Sequence, residues 1–161
     1  MNTHVLPKKN VFIEKTSSFL SINEEVSKYI IKHKLNNYTG NSELYICEKD
    51  NKEYVLKYYL YEKPQNEICE KLKAINNPNI IVLYDYGEYK NHFYTIMEYV
   101  TGGALNKRNE NNQFTYLPLK EDKALEFVKD IVEALNKLHK EGIVHRDIKP
   151  DNIFLKTEMI P

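Results

Sequence analysis

His145-Arg146-Asp147-Ile148-Lys149-Pro150-Asp151-Asn152 is the stretch from which the rest of the chain can be read. It has the form H-R-D-x-K-P-x-N. With six positions specified, a chance match at ordinary residue usage is roughly one in ten million or rarer per starting point. A charged surface turn after a helix is therefore a poor account of it. The stretch gathers a carboxylate, an ammonium and an amide oxygen on one short loop. Apolar residues frame it, Ile143-Val144 before and Ile153-Phe154-Leu155 after. Upstream the pattern is helical. Ala124, Phe127, Val128, Ile131, Leu135 and Leu138 recur at three and four between Glu121 and Lys140, and Gly142 stands where a C-terminal cap belongs.

Farther from the loop the pattern turns strand-like. Tyr29-Ile30-Ile31 and Leu44-Tyr45-Ile46-Cys47 are short apolar runs, and Tyr54 to Leu60 is rich in strand formers. The polar turn between the last two, with Asp50-Asn51, predicts a hairpin. Pro64 opens a helical segment that carries Ile68, Cys69, Leu72 and Ile75 on one face and stops at Asn76-Asn77-Pro78. Two more strands follow, Ile80 to Tyr86 ending at Gly87, and His92 to Val100 ending at Thr101-Gly102-Gly103. Asn106 to Gln113 reads as a loop or a frayed helix. No repeat is visible. The order is that of an α+β fold with a mainly antiparallel sheet.

The chain has 161 residues, with 23 Lys plus Arg against 23 Asp plus Glu. A net charge of zero disfavours nucleic acid and anionic membranes as partners, because both need a positive field. Hydrophobic residues at 42% supply a packed core and exclude general disorder. Cys47 and Cys69 form neither a disulfide framework nor a zinc cluster, and read as two buried thiols in a reducing compartment. Met1 to Leu20 lacks an apolar run of signal-peptide length, and nothing approaches the ~20 apolar residues of a membrane span. The expectation is a cytoplasmic chain without a membrane segment.

The loop at 145–152 resembles the catalytic loop of eukaryotic-type serine/threonine protein kinases. The resemblance implies roles. Asp147 would accept the hydroxyl proton, Lys149 would neutralise the transferred γ-phosphate of ATP, and Asn152 would bind Mg²⁺ through its side-chain oxygen. His145 would pack in the core, and Arg146 would pair with a phosphorylated activation loop. Lys149, two residues after the Asp, looks like the serine/threonine type. Small-molecule phosphotransferases of related fold usually carry H-G-D, so Arg146 disfavours them.

Other motifs fall in family order. Val55-Leu56-Lys57 resembles the end of V-A-I-K, ninety residues before Asp147. Lys57 would bridge the α- and β-phosphates, with Val55 on the same strand face against the adenine ring. Its partner should be a Glu on the next helix, where Glu67 lies beside the apolar face and Glu70 nearly opposite, so Glu67 is chosen. Asn77-Pro78-Asn79-Ile80-Ile81 resembles the H-P-N-I-V turn. Ile96-Met97-Glu98-Tyr99-Val100 looks like the fifth strand and hinge. There Met97 would be the gatekeeper, and the backbone of Glu98 and Val100 would hydrogen-bond adenine. Phe154 would close the floor of that site. The phosphate-covering loop matches loosely. Placed by the strand that follows, G-x-G-x-x-G-x-V falls on residues 37–44, with Thr39, Gly40, Ser42 and Leu44 as nucleotide contacts. Gly40 is the one glycine there and does not fall on a glycine position.

These matches cover about residues 27–161. They imply an N-terminal extension at 1–26, with a Thr16-Ser17-Ser18 cluster, and a kinase-like antiparallel five-stranded small lobe with one helix at 27–100. At 101–161 come the first helices and the catalytic loop of an incomplete large lobe. No D-F-G segment occurs, so the expectation is a fragment of a longer kinase. Alone it should transfer phosphate feebly or not at all, and its long helix should expose apolar surface. A protein substrate is implied. The alternative is a non-catalytic, kinase-like nucleotide- or protein-binding module.

Overall fold

The computed structural model describes residues 18–35, 41–61, 63–105, 107–108, 114–115 and 120–156. Six strands build the main sheet: β1 (Glu25–Val26), β2 (Tyr29–Leu35), β3 (Ser42–Lys49), β4 (Lys52–Tyr59), β5 (Leu83–Tyr89) and β6 (His92–Glu98). Their order is β1-β2-β3-β4-β6-β5, and every pairing is antiparallel. Helix α1 (Asn66–Ala74) crosses between β4 and β5. A short antiparallel pair joins β7 (Lys107–Arg108), inside the stretch expected as loop or frayed helix, to β8 (Phe114–Thr115), just after it. Helix α2 (Glu121–Lys140) and a 3₁₀ turn (Pro150–Asn152) complete the described chain.

Local chemistry accounts for the hairpins. Asp50 and Asn51 both have positive φ, 51° and 58°, as do Lys90 and Asn91 at 48° and 63°. Two left-handed residues in a two-residue loop make the turn whose twist matches that of the flanking strands. On β4 the side chains alternate. Leu56 and Tyr58 join a buried cluster with Val26, Ile31, Tyr45, Cys47, Tyr94 and Ile96. Val55, Lys57 and Tyr59 take the opposite face.

The small-lobe sheet has six strands rather than the five expected, and the additional one comes from the segment read as an extension. Glu25–Val26 is a strand of the sheet, and residues 18–24 pack on it. Val26 pairs with Tyr29, and Val26 and Leu20 are fully buried. The Phe19 N–H donates to Glu43 Oε2 at 3.1 Å, and the Leu20 N–H to the Tyr45 hydroxyl at 3.1 Å. Burial alone would push the Glu43 carboxyl up, but hydrogen bonds from Lys34, Tyr45 and the Phe19 N–H outweigh it and hold the group below the usual carboxylate range. Residues 1–17 lie outside the described residues.

Two boundaries also move. Gly87, expected to end its strand, lies inside β5. A Cβ there would come 2.9 Å from the Tyr94 hydroxyl, so the position is glycine because the neighbouring strand's tyrosine lies over it. Helix α1 starts after Pro64, with extended Gln65 as its cap. Cys69 is buried beneath α1 against Leu83 and Phe93, with Tyr59, Leu72 and Met97 around it. Both cysteines are free and buried, as expected, and burial pushes the Cys47 thiol up to about 12.

At the end of α2, Gly142 has φ of 74°. Its N–H reaches the His139 carbonyl at 2.9 Å, and the Ile143 N–H reaches the Leu138 carbonyl at 2.9 Å. This paired closure is the left-handed cap that Gly142 predicts, with Leu138 and Ile143 in contact across it. Ile75, Leu138 and Ile143, joined by Ile68, Leu72, Ile80 and Leu135, form the cluster that ties α1 to α2. On the other side of α2, Leu125, Val128 and Val132 are exposed. No helix among the described residues is long and apolar enough to cross a membrane.

Candidate active site

Strand register assembles one face of the sheet. Leu44 lies opposite Lys57, and Lys57 opposite Thr95. Ile46 lies opposite Val55, and Val55 opposite Met97. Cross-strand partners share a face, so Leu44, Val55, Lys57 and Met97 line the same side of the sheet. Strand alternation had put Val55 and Lys57 on one face; Leu44 and Met97 had come from the resemblance alone. Ser42, opposite Tyr59, is buried. Thr39 and Gly40, the expected phosphate-loop contacts, lie outside the described residues.

Beyond β6 the chain leaves the sheet. The Glu98 N–H donates to the Val82 carbonyl at 2.9 Å, and the Val82 N–H donates to Glu98 Oε2 at 3.4 Å. This fixes the last sheet residue before the crossing. Val100 makes no backbone hydrogen bond among the described residues. The Leu105 N–H meets the Ile153 carbonyl at 2.7 Å, and the Leu155 N–H meets the Gly103 carbonyl at 2.9 Å. Between these bonds Ala104 pairs with Phe154, which brings Phe154 beside the segment that follows the crossing.

The loop at 145–152 is tied together by its own side chains. Arg146 has φ of 63°, a left-handed conformation that non-glycine residues rarely adopt. The 3₁₀ turn begins at Pro150 and brings Asn152 back toward Asp147. Asn152 Nδ2 then donates to the Asp147 carbonyl at 2.9 Å and to Asp147 Oδ2 at 2.8 Å. Lys149 Nζ lies 3.1 Å from the same Oδ2. The Lys149 ammonium first, and the Asn152 amide after it, hold the exposed Asp147 carboxyl below the usual carboxylate range. His145 is exposed rather than packed in the core, and its Nδ1 accepts from the Asp147 N–H at 3.4 Å. Ile143 and Leu155, not His145, are the buried residues that frame the loop.

Lys57 is partly buried. Burial pushes its ammonium below the ordinary lysine value, and the negative charge of Asp147 pushes the other way. The charge on the loop at 145–152 therefore acts on the lysine of β4. Glu67 does not join Lys57. It pairs with Lys71 at 2.9 Å, one turn along α1, with its side chain 73% exposed. The physical reason is helix rotation: Cys69 takes the inward position, and two residues at about 100° each put Glu67 nearly opposite it. Glu70 accepts a hydrogen bond from the Tyr86 hydroxyl on β5. The neighbour of Lys57 is instead Tyr59, whose ring centroid lies 4.9 Å from Lys57 Nζ. The sequence reading passed over Tyr59, although strand alternation already put it on the Lys57 face.

The donor set suits a hard cation. Asn152 commits its amide nitrogen to Asp147, so Oδ1 is the atom turned elsewhere, and an amide oxygen is a ligand type that Mg²⁺ accepts. No group of three or more His, Cys, Asp or Glu among the described residues forms an all-protein metal cage. Mg²⁺ commonly needs no such cage, since it takes one or two protein oxygens together with substrate phosphates.

A family model described as protein kinase domain matches residues 29–160. CBL-interacting serine/threonine-protein kinase 3 of Arabidopsis thaliana is 36% identical over 107 residues, covering 66% of this chain and 23% of that protein. CBL-interacting serine/threonine-protein kinase 15 of the same plant is 31% identical over 150 residues, covering 89% of this chain and 34% of that protein. The chain therefore spans about a third or less of the length of these curated relatives. Among solved structures, the Mycobacterium tuberculosis PknI kinase domain superposes with a TM-score of 0.65 at 20% identity, over 84% of this chain and 57% of that one. At that identity the likeness speaks for the fold.

Proposed function

The chain belongs to the protein kinase family, and from that premise we propose that it serves ATP-dependent phosphoryl transfer to a serine or threonine hydroxyl of a protein substrate. The observation that carries the proposal is the triad of Asp147, Lys149 and Asn152 on one loop, whose charge acts on Lys57 of β4. A small lobe over about 27–100, to which Glu25–Val26 adds a strand, would hold the nucleotide. The part from 101 to 161 would begin the large lobe that holds the substrate.

In this reading adenine lies between Leu44 and Val55 above and Phe154 below, beside Met97. Its amino group donates to the Glu98 carbonyl, and the backbone groups of Val100 make the remaining hydrogen bonds. Lys57 holds the α- and β-phosphates, and the loop around Thr39, Gly40 and Ser42 covers them. The substrate hydroxyl oxygen attacks the γ-phosphorus, and the bond from that phosphorus to the β,γ-bridging oxygen breaks. ADP leaves, and the hydroxyl proton passes to the Asp147 carboxylate. Lys149 offsets charge on the moving phosphoryl group. Mg²⁺ held at Asn152 Oδ1 would neutralise phosphate charge. Positioned charge is what this reaction needs, and the chain brings a carboxylate and two ammonium groups to the cleft.

Lys149 and the names of the curated relatives support serine/threonine specificity. A second reading, a kinase-like binding module without transfer, is favoured by one observation: residues 37–44 carry a single glycine, Gly40, where the phosphate-covering pattern has three. Two measurements separate them. Calorimetric titration of the chain with Mg²⁺ and ATP should show binding that Lys57→Met removes. The protein carrying these residues should transfer ³²P from γ-labelled ATP to a generic protein substrate, and Asp147→Asn should lower that transfer by on the order of 10² or more. Full activity in Asp147→Asn would refute the role given to Asp147.

A further inference from the structure

We infer that Tyr59 is a positioning residue for Lys57, and that its ring face holds the Lys57 ammonium in the nucleotide-free cleft in place of a carboxylate. This rests on the reading of Lys57 as the phosphate-binding lysine. Lys57 Nζ stands 4.9 Å from the centroid of the Tyr59 ring, inside cation–π range. No carboxylate among the described residues lies within ion-pair distance of it, and Glu67 is turned outward onto Lys71. An ammonium that loses water to burial needs compensation, and the electron-rich face of an aromatic ring supplies it.

The ring is itself held. Phe93 lies edge-on to it with centroids 5.9 Å apart, and His92 Nδ1 is 3.1 Å from the Tyr59 carbonyl oxygen. Above the ring lies the cluster of Cys69, Leu83 and Phe93, joined by Leu72. Tyr59 therefore touches the underside of α1 with one part and Lys57 with another. It couples the helix to the lysine through packing, without an ion pair. Beside Tyr59, His92 and the Lys63–Glu88 ion pair line one hollow with it. Asp147 acts on Lys57 from the catalytic loop, and Cys69 of α1 acts on Tyr59. The flanking strands β3 and β6 put the uncharged Leu44 and Thr95 opposite Lys57.

The test follows the acylation of Lys57 by an amine-selective reagent across pH, read by mass spectrometry on the Lys57 peptide. Only the neutral amine reacts. Removing the ring face disfavours the charged form, so the neutral form appears at lower pH. Tyr59→Met keeps side-chain bulk without a π face and should lower the pH of half-labelling by about 0.5 to 1 unit. Tyr59→Phe keeps the face and should leave it in place. Equal half-labelling pH in the unmodified chain and Tyr59→Met would overturn the inference, as would an equal fall in Tyr59→Phe. Should Tyr59→Met fail to fold, the unmodified chain decides. Its Lys57 ε-protons, assigned by their loss in Lys57→Arg, should resonate upfield of the other lysines through the ring current, and a shift at the ordinary lysine position overturns the inference. Protection of Lys57 from labelling by Mg²⁺ and ATP reports separately on the kinase reading. Loss of protection with a retained pH shift would count against the kinase reading alone.

Discussion

Asn152 Nδ2 lies 2.8 Å from Asp147 Oδ2 and 2.9 Å from the backbone oxygen of the same residue, so one amide ties the Asp147 carboxylate to the main chain of the same residue. The clamp settles where the carboxylate points and which atom of Asn152 is left to face a cation. It depends on Pro150, which opens the turn that folds residue 152 back.

If Asp147 is the proton acceptor, its ionised form is the active one. Lys149 and Asn152 favour that form, so removing either raises the carboxyl toward its ordinary value. Activity would then be lost at higher pH on the acid side. In Asn152→Ala the acid limb of the transfer rate should move upward and the maximum rate should fall. An unmoved acid limb in steady-state assays across the acid range would count against the clamp. Asp147→Asn should lower transfer by on the order of 10²–10⁴, the range of a positioned acid–base group.

Lys57→Met should separate binding from folding. Burial disfavours the lysine's charged form, so an apolar side chain of similar length should not lower the melting temperature. Affinity for Mg²⁺ and ATP should fall below detection in the same protein. Calorimetric melts and titrations on one preparation check both. A lower melting temperature would mean that Lys57 holds the fold together.

Glu43 should be a structural carboxylate. It is 3% exposed and accepts hydrogen bonds from Lys34, Tyr45 and the Phe19 N–H. Glu43→Gln should cost about 1–3 kcal/mol in urea unfolding, the cost of leaving buried partners unsatisfied. Because its folded-state pKa is depressed, its contribution is present above the unfolded carboxylate pKa and lost as pH falls through the folded one. The unmodified protein should therefore lose stability more steeply than Glu43→Gln as pH falls below about 4.5. Parallel pH curves for the two would show that Glu43 does not hold residues 18–20 on the sheet.

Gly87→Ala should destabilise by about 1–3 kcal/mol through overpacking, since a methyl group there meets the Tyr94 hydroxyl at 2.9 Å. Tyr94→Phe removes that oxygen and should recover part of the loss in the double variant. A double-mutant cycle on unfolding free energies reads the coupling, and strict additivity would mean that the two side chains do not meet.

Local sequence was enough wherever the relevant partners are chain neighbours. The motif at 145–152 closes on itself, so its residue types already carry its geometry. Strand alternation was enough to put Val55 and Lys57 on one face, and Asp50-Asn51 and Gly142 announced a turn and a cap through their backbone preferences. Tertiary structure decided the rest. Whether Glu67 or Cys69 turns inward depends on what the sheet beneath α1 will accept, and an apolar pocket of Leu83 and Phe93 accepts the thiol. Residues 18–26 look polar and unpatterned along the chain, yet Leu20 and Val26 fill the sheet's covered face, and a buried Glu43 anchors the backbone between them and Ser18. His145 is outside the core because Ile143 and Leu155 occupy the buried positions around it. Each of these outcomes is a competition for burial among residues distant in sequence, and a linear pattern does not contain the competitor.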